Sequence, residues 1–115
     1  MKEFMLLVRV PLSYSSELAK AVGPQWDKVL ENWKAADVYV TSFPFPPEGF
    51  SITGADRAIK KEWIIADNRK VVSAIVLRAV SIEDALELAK VCPVLDHEGS
   101  VEVREIMQRT VNVGK

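Results

Sequence analysis

A single cysteine and a single histidine are the first constraints on this chain. One cysteine forms no internal disulfide, which fits a reducing compartment. Cys92 and His97 do not make a zinc centre either, since zinc takes four ligands at characteristic spacings; no metal is expected. Neither sign of charge is in excess. Fifteen basic against sixteen acidic side chains leave a net charge of −1, so no global field draws in nucleic acid or an acidic membrane. Long apolar runs are missing as well. The stretch from Phe4 to Val8 is cut by Arg9 and Pro11, far short of the ~20 residues of a spanning helix, and no small-residue cleavage pattern follows it. Only five glycines are present, and none falls in a Gly-rich phosphate loop or a Gly-x-Ser-x-Gly elbow. The expectation is a cytoplasmic protein with no cofactor, no nucleic-acid partner and no membrane segment.

What is present is a chain of 115 residues, 49% hydrophobic and 27% charged, which suits one globular domain. We read that domain over residues 1–107, with 108–115 as a polar tail. Residues 2–10 form an apolar strand bounded by Pro11-Leu12-Ser13. Ser13, Ser15 and Ser16 offer caps for a helical segment starting near Glu17. Gly23-Pro24 is expected to interrupt it, leaving residues 24–36 as the stronger helix, with Trp26, Val29, Leu30 and Trp33 at helical spacing. A short extended piece covers 38–41, and Phe43-Pro44-Phe45-Pro46-Pro47 is expected to be irregular. Residues 50–53 and 58–66 are strand-like, split by a Gly54-Ala55-Asp56 turn. A polar reversal at residues 67–70 leads into the most apolar strand, 71–80. Ser81 caps a second helix whose buried face is Ile82, Ala85, Leu86 and Ala89. A short polar loop precedes a last strand at 101–106.

The order strand, helix, strand, strand, helix, strand predicts an α+β fold. Its form is ferredoxin-like: a four-stranded antiparallel sheet with both helices on one face. Residues 71–80 and 5–8 carry apolar side chains on both faces, and helices cover only one. The second face needs a cover, and the simplest is the same face of a second copy, giving a two-fold homodimer.

Several segments resemble the YCII-related (DGPF-domain) family: the opening Met-Lys-Glu-Phe-Met-Leu-Leu, Pro47-Glu48-Gly49, and the run from Ser81 through Cys92-Pro93-Val94-Leu95 to Ser100-Val101-Glu102-Val103-Arg104. The resemblance implies a dimeric α+β barrel with a pocket between the sheet and its loops. It also implies an Asp-Gly-Pro-Phe signature whose Asp is the usual proposed acid/base. In the matching alignment Lys61-Glu62-Trp63-Ile64 stands at the signature, so Lys61 replaces the carboxylate. Val72-Ser73 and Thr41-Ser42-Phe43 stand at the family's Gly-rich segments. The scaffold is kept and the signature is lost.

Trp63 and Lys61, two residues apart on one side of an extended segment, are the ligand-binding candidates, with Arg78 supplying further charge. Against this stands the plainer reading of a strand with a snorkelling lysine. His97 lies between Asp96 and Glu98, where carboxylates favour its protonated form, but Asp-His-Glu before glycine is ordinary turn composition. Glu62 is the other candidate replacement acid/base. Cys92 has no adjacent base and reads as a small buried hydrophobe. Trp26 and Trp33, on one helix face, read as core or dimer packing. Arg69-Lys70 reads as a solvated hairpin tip. The functional expectation is a non-catalytic homodimer binding a small, partly aromatic or anionic molecule near Trp63, with His97 at the rim. The alternatives are an isomerase- or lyase-type proton-transfer enzyme and a purely structural dimerisation module.

Overall fold

The alternation of the first strand sets the architecture. In the computed structural model, which describes residues 1–46, 48–62 and 65–107, strand β1 (Lys2–Pro11) turns Phe4, Leu6, Val8 and Val10 to one side, all fully buried. Each contributes roughly 1.5–3 kcal/mol by leaving water. Met5, Leu7 and Arg9 point to the other side and are half-buried. β1 pairs antiparallel with β6 (Arg69–Ala79) on one flank and β7 (Ser100–Glu105) on the other. Strand β2 (Tyr39–Pro44) adds to the outside of β6, giving the order β2-β6-β1-β7. A two-residue strand β5 (Ile65–Ala66) also pairs with β6. The fold is therefore α+β, with two α-helices and an antiparallel sheet.

Helix α1 (Ser16–Ala35) runs unbroken through Gly23-Pro24, against the expected interruption. Ser15 caps it, its Oγ accepting from the Leu18 amide at 3.1 Å. Two things let the proline stay. Gly23 has no Cβ to meet the proline ring, which relieves the usual bar to helix before proline. Val22, Trp26, Val29, Leu30 and Trp33 also fall on a single stripe only if the helix is continuous, and all pack inward. That burial outweighs the one hydrogen bond proline removes. The helix ends in a Schellman motif, with Val38 N–H donating to Trp33 O at 3.0 Å and Asp37 N–H to Lys34 O at 3.1 Å. Asp37 takes the left-handed position (φ 60°) usually given to glycine.

Helix α2 (Ile82–Ala89) is capped as expected, the Asp84 amide donating to Ser81 Oγ at 3.2 Å. Its buried face is Ala85 and Ala89, with Ile82 and Leu88 beside them. Leu86, expected inside, is exposed because it lies ~100° around the helix from Ala85. The expected polar loop is instead one 3₁₀ turn, Pro93–His97, that buries Pro93 and Val94. Both helices pack on the Phe4–Leu6–Val8 side of the sheet. Among the described residues, no helix is long and apolar enough to cross a membrane.

Three further strand expectations are corrected. β2 continues through Phe43 to Pro44, where proline is tolerated as the last residue of an edge strand. The strand read over 58–66 is two, β4 (Ala58–Glu62) and β5, in different sheets. β4 pairs only with β3 (Gly49–Thr53), forming a separate two-stranded ribbon between β2 and β5. Its turn closes with Arg57 N–H to Gly54 O at 3.1 Å.

Candidate functional site

A cleft opens where β1 ends and β6 begins, a hollow of about 540 Å³ on the helix side of the sheet. That is within the ~300–1,000 Å³ of small-molecule sites. Val10, Val72 and Val94 form its floor, Trp26 of α1 and Phe45 its aromatic walls, and Tyr14, Ser16 and Lys70 its polar edge. Each is placed by an identifiable backbone feature. The turn after β1 is held by Tyr14 N–H to Pro11 O at 3.0 Å, which brings the Tyr14 ring under the start of α1. Phe45 is fixed just past β2, its amide donating to Val72 O at 2.9 Å.

Lys70 arrives by a change of parity. Val8 faces Ser73 across β1 and β6, yet Arg9 faces Val71, so Val72 is an extra residue in β6. A bulge of this kind re-aims every side chain beyond it. Without it Lys70 would point to the sheet's other face. With it Lys70 stands opposite Val10, on the cleft side, and Val72 enters the floor.

Burial raises the pKa of Tyr14, so its hydroxyl stays protonated and serves as a donor. Among the described residues lining the cleft there is no carboxylate, histidine or cysteine. The nearest tryptophan, Trp26, meets Trp33 edge-on, with ring centroids 6.5 Å apart. Trp33 is core, as read from the sequence, while Trp26 is both core and cleft wall.

The residues singled out from the sequence lie elsewhere. Trp63 lies outside the described residues. Lys61 sits on the β3–β4 ribbon, exposed and paired with Glu48 (Nζ to Oε2, 2.6 Å). Glu62, on the same ribbon, accepts from Ser51 Oγ and lies 3.5 Å from Lys60 Nζ. The Ser51 hydrogen bond, with Lys60 adding to it, holds the Glu62 pKa below its ordinary value, which makes it a poorer proton acceptor. Arg78 faces Glu3 across the sheet, eight residues or ~26 Å along β6 from Lys70. Its Nε is buried with no hydrogen-bond partner among the described residues. His97 closes the 3₁₀ turn. Of the described candidates, Lys61 and Glu62 lie on the ribbon, Arg78 on β6 and His97 on the 3₁₀ turn, and none of the four lines the cleft.

Arg69, expected to be merely solvated, ties the β5–β6 turn to the 3₁₀ turn. Its Nε donates to Glu98 O at 2.7 Å, and Nη1 to Asp67 O at 3.3 Å. Cys92 is buried as expected, and burial pushes its thiol up to about 12. Among the described residues, no group of three or more His, Cys, Asp or Glu could hold a metal ion.

One signal of the cleft is legible in the sequence: Tyr14 among three serines, and a proline-rich segment, on either side of the Trp26 helix. Lys70 had no such signal, because its facing depends on the bulge. Compared with known proteins, the chain matches no family model and no curated sequence.

Proposed function

We propose that this protein binds a small, partly aromatic molecule carrying an anionic or polar group, in the cleft between α1 and the β1–β6 end of the sheet. The observation that carries the reading is the pairing of Trp26 and Phe45 walls with Tyr14, Ser16 and Lys70 along one edge of a 540 Å³ hollow. An apolar body desolvates against the rings, and the polar group meets the hydroxyls and the ammonium side of the cleft. Binding is favoured over turnover by the makeup of that lining, which offers a donor in Tyr14 and no described acid/base pair.

The scaffold reading belongs to the same proposal. A strand order of β2-β6-β1-β7 with both helices on one face supports a ferredoxin-like frame. Met5 and Leu7, only half-buried on the other face, support a two-fold homodimer through that face. Kinship with the YCII-related family is proposed for this scaffold alone, on the segments quoted above, and a cytoplasmic setting on the lone buried cysteine.

The test is calorimetric titration with 2-naphthoate, an aromatic monocarboxylate, against the wild type and Ala19→Trp. Ala19 lines the cleft and is exposed on α1, so the larger side chain fills the hollow without touching the core. Binding to the wild type that weakens at least ~10-fold in the variant supports the reading. Equal binding to both would place the ligand elsewhere.

A further inference from the structure

The β3–β4 ribbon is amphipathic. Phe50, Ile52 and Ile59 share one face, since Ile52 stands directly opposite Ile59 and Phe50 opposite Lys61. Their exposures are 70%, 64% and 70%. The other face holds the Ser51–Glu62–Lys60 network. Neither core cluster includes any of the three apolar residues. An isolated two-stranded hairpin is at best marginal in water, so a ribbon of five paired positions with a bare apolar face is built to lie on something.

The area involved favours one occupant. Phe50, Ile52 and Ile59 together leave about 400 Å² of apolar surface exposed. Docked on a foreign partner, one ribbon buries that area and a similar area opposite, about 800 Å² in total. This falls below the roughly 1,000 Å² of a specific interface. In a two-fold dimer the contact is made twice, which gives about 1,600 Å², the standard size. Position points the same way. The chain leaves the sheet after Phe45, and Phe43, two residues earlier, is half-exposed and faces Ala74 across β2 and β6. Phe43 thus lies on the same face of the sheet as Met5 and Leu7.

We infer that the β3–β4 ribbon is a dimerisation arm, laying its Phe50–Ile52–Ile59 face across the open sheet face of a second copy of this chain. The inference rests on the homodimer reading and extends it, because Pro44 and Phe45 at the arm's root are also cleft wall. A clasped arm fixes that wall. An unclasped arm leaves it held only from the sheet side, by the Pro44–Ser73 pairing and the Phe45 amide. Dimer formation and ligand affinity are therefore coupled.

The experiment is sedimentation velocity on the full chain over a dilution series, for wild type, Phe50→Asp/Ile59→Asp and Leu7→Asp. Circular dichroism checks that each is folded, and 2-naphthoate titration follows in parallel. A dimeric wild type whose self-association weakens more than ~100-fold in the arm variant, with weaker naphthoate binding, supports the arm. The two substitutions lie on solvent-exposed positions, so the core remains intact. If the arm variant dimerises as tightly as wild type while Leu7→Asp does not, the arm role is overturned and the sheet-face dimer stands. A wild type that stays monomeric throughout overturns both.

Discussion

Replacing Gly99 with alanine tests the packing of β1 against the 3₁₀ turn at a single atom. A Cβ at Gly99 would lie 2.7 Å from Arg9 O, 2.7 Å from Val94 O and 2.7 Å from Val94 Cβ, where ordinary contacts begin at 3.4 Å. Two of these atoms are backbone. Arg9 is held in the central strand between β6 and β7, and Val94 O accepts the Gly99 amide at 2.8 Å, so neither can swing aside as a side-chain tip would. Overpacking of this kind costs about 1–3 kcal/mol, and the upper end applies when backbone must move. Weakening the Gly99–Val94 hydrogen bond adds about 1 kcal/mol, and alanine's more restricted unfolded chain returns about 0.4–1 kcal/mol. The net is a loss of about 3 kcal/mol, or roughly 12 °C in Tm for a domain of this size. Urea denaturation followed by tryptophan fluorescence measures it, with Gly49→Ala as the matched control. At Gly49 the nearest atom to the new Cβ is Glu62 O at 3.9 Å, so that variant stays within ~0.5 kcal/mol of wild type. Equal midpoints for Gly99→Ala and wild type would refute the close approach and the docking of the 3₁₀ turn with it.

Glu102 accepts from Arg9 Nη1 at 2.8 Å, and that hydrogen bond lowers its pKa from the unperturbed 4.5. A carboxylate depressed by folding stabilises the protein above its unfolded pKa and loses that contribution as pH falls through the folded value. Glu102→Gln therefore flattens the decline in urea midpoint below about pH 4.5, and an acid limb parallel to wild type would show the pair to be inert. Cys92, buried and raised to about 12, reacts with an aromatic disulfide reagent only as fast as the protein opens; rapid labelling in native buffer would contradict its placement in the core.

The parts legible in the sequence were those set by local periodicity. The caps at Ser15 and Ser81, the Trp26–Trp33 stripe and the burial of Cys92 follow from spacing and side-chain chemistry within a few residues. What was not legible depended on pairing across the chain. The expected break at Gly23-Pro24 failed because a stripe spanning both sides of the proline is worth more than one hydrogen bond. The strand read over 58–66 split because Ile59 pairs with Ile52 while Ile65 pairs with Lys70. No local pattern distinguishes those partners. The grouping of Lys61 with Arg78 rests on charge alone, and β4 and β6 carry them in different sheets. Lys70 reads as a solvated charge because it falls at a hairpin tip, and its true facing depends on the bulge at Val72, which no local pattern announces.

The position of β1 has a consequence in time. Leu6 is paired with Ile75 on one side and Val103 on the other, so the first strand to be synthesised has both its neighbours in the last part of the chain. Between Pro11 and Glu105 lie 94 residues of further synthesis (105 − 11), roughly 5–20 s on a ribosome at 5–20 residues per second. Until β6 is complete at Ala79, a strand of four core side chains, Phe4 to Val10, has no partner, and its second flank stays open until Glu105. The central strand of the sheet thus precedes both its partners by most of the domain, and a nascent hydrophobic strand waits exposed until they arrive.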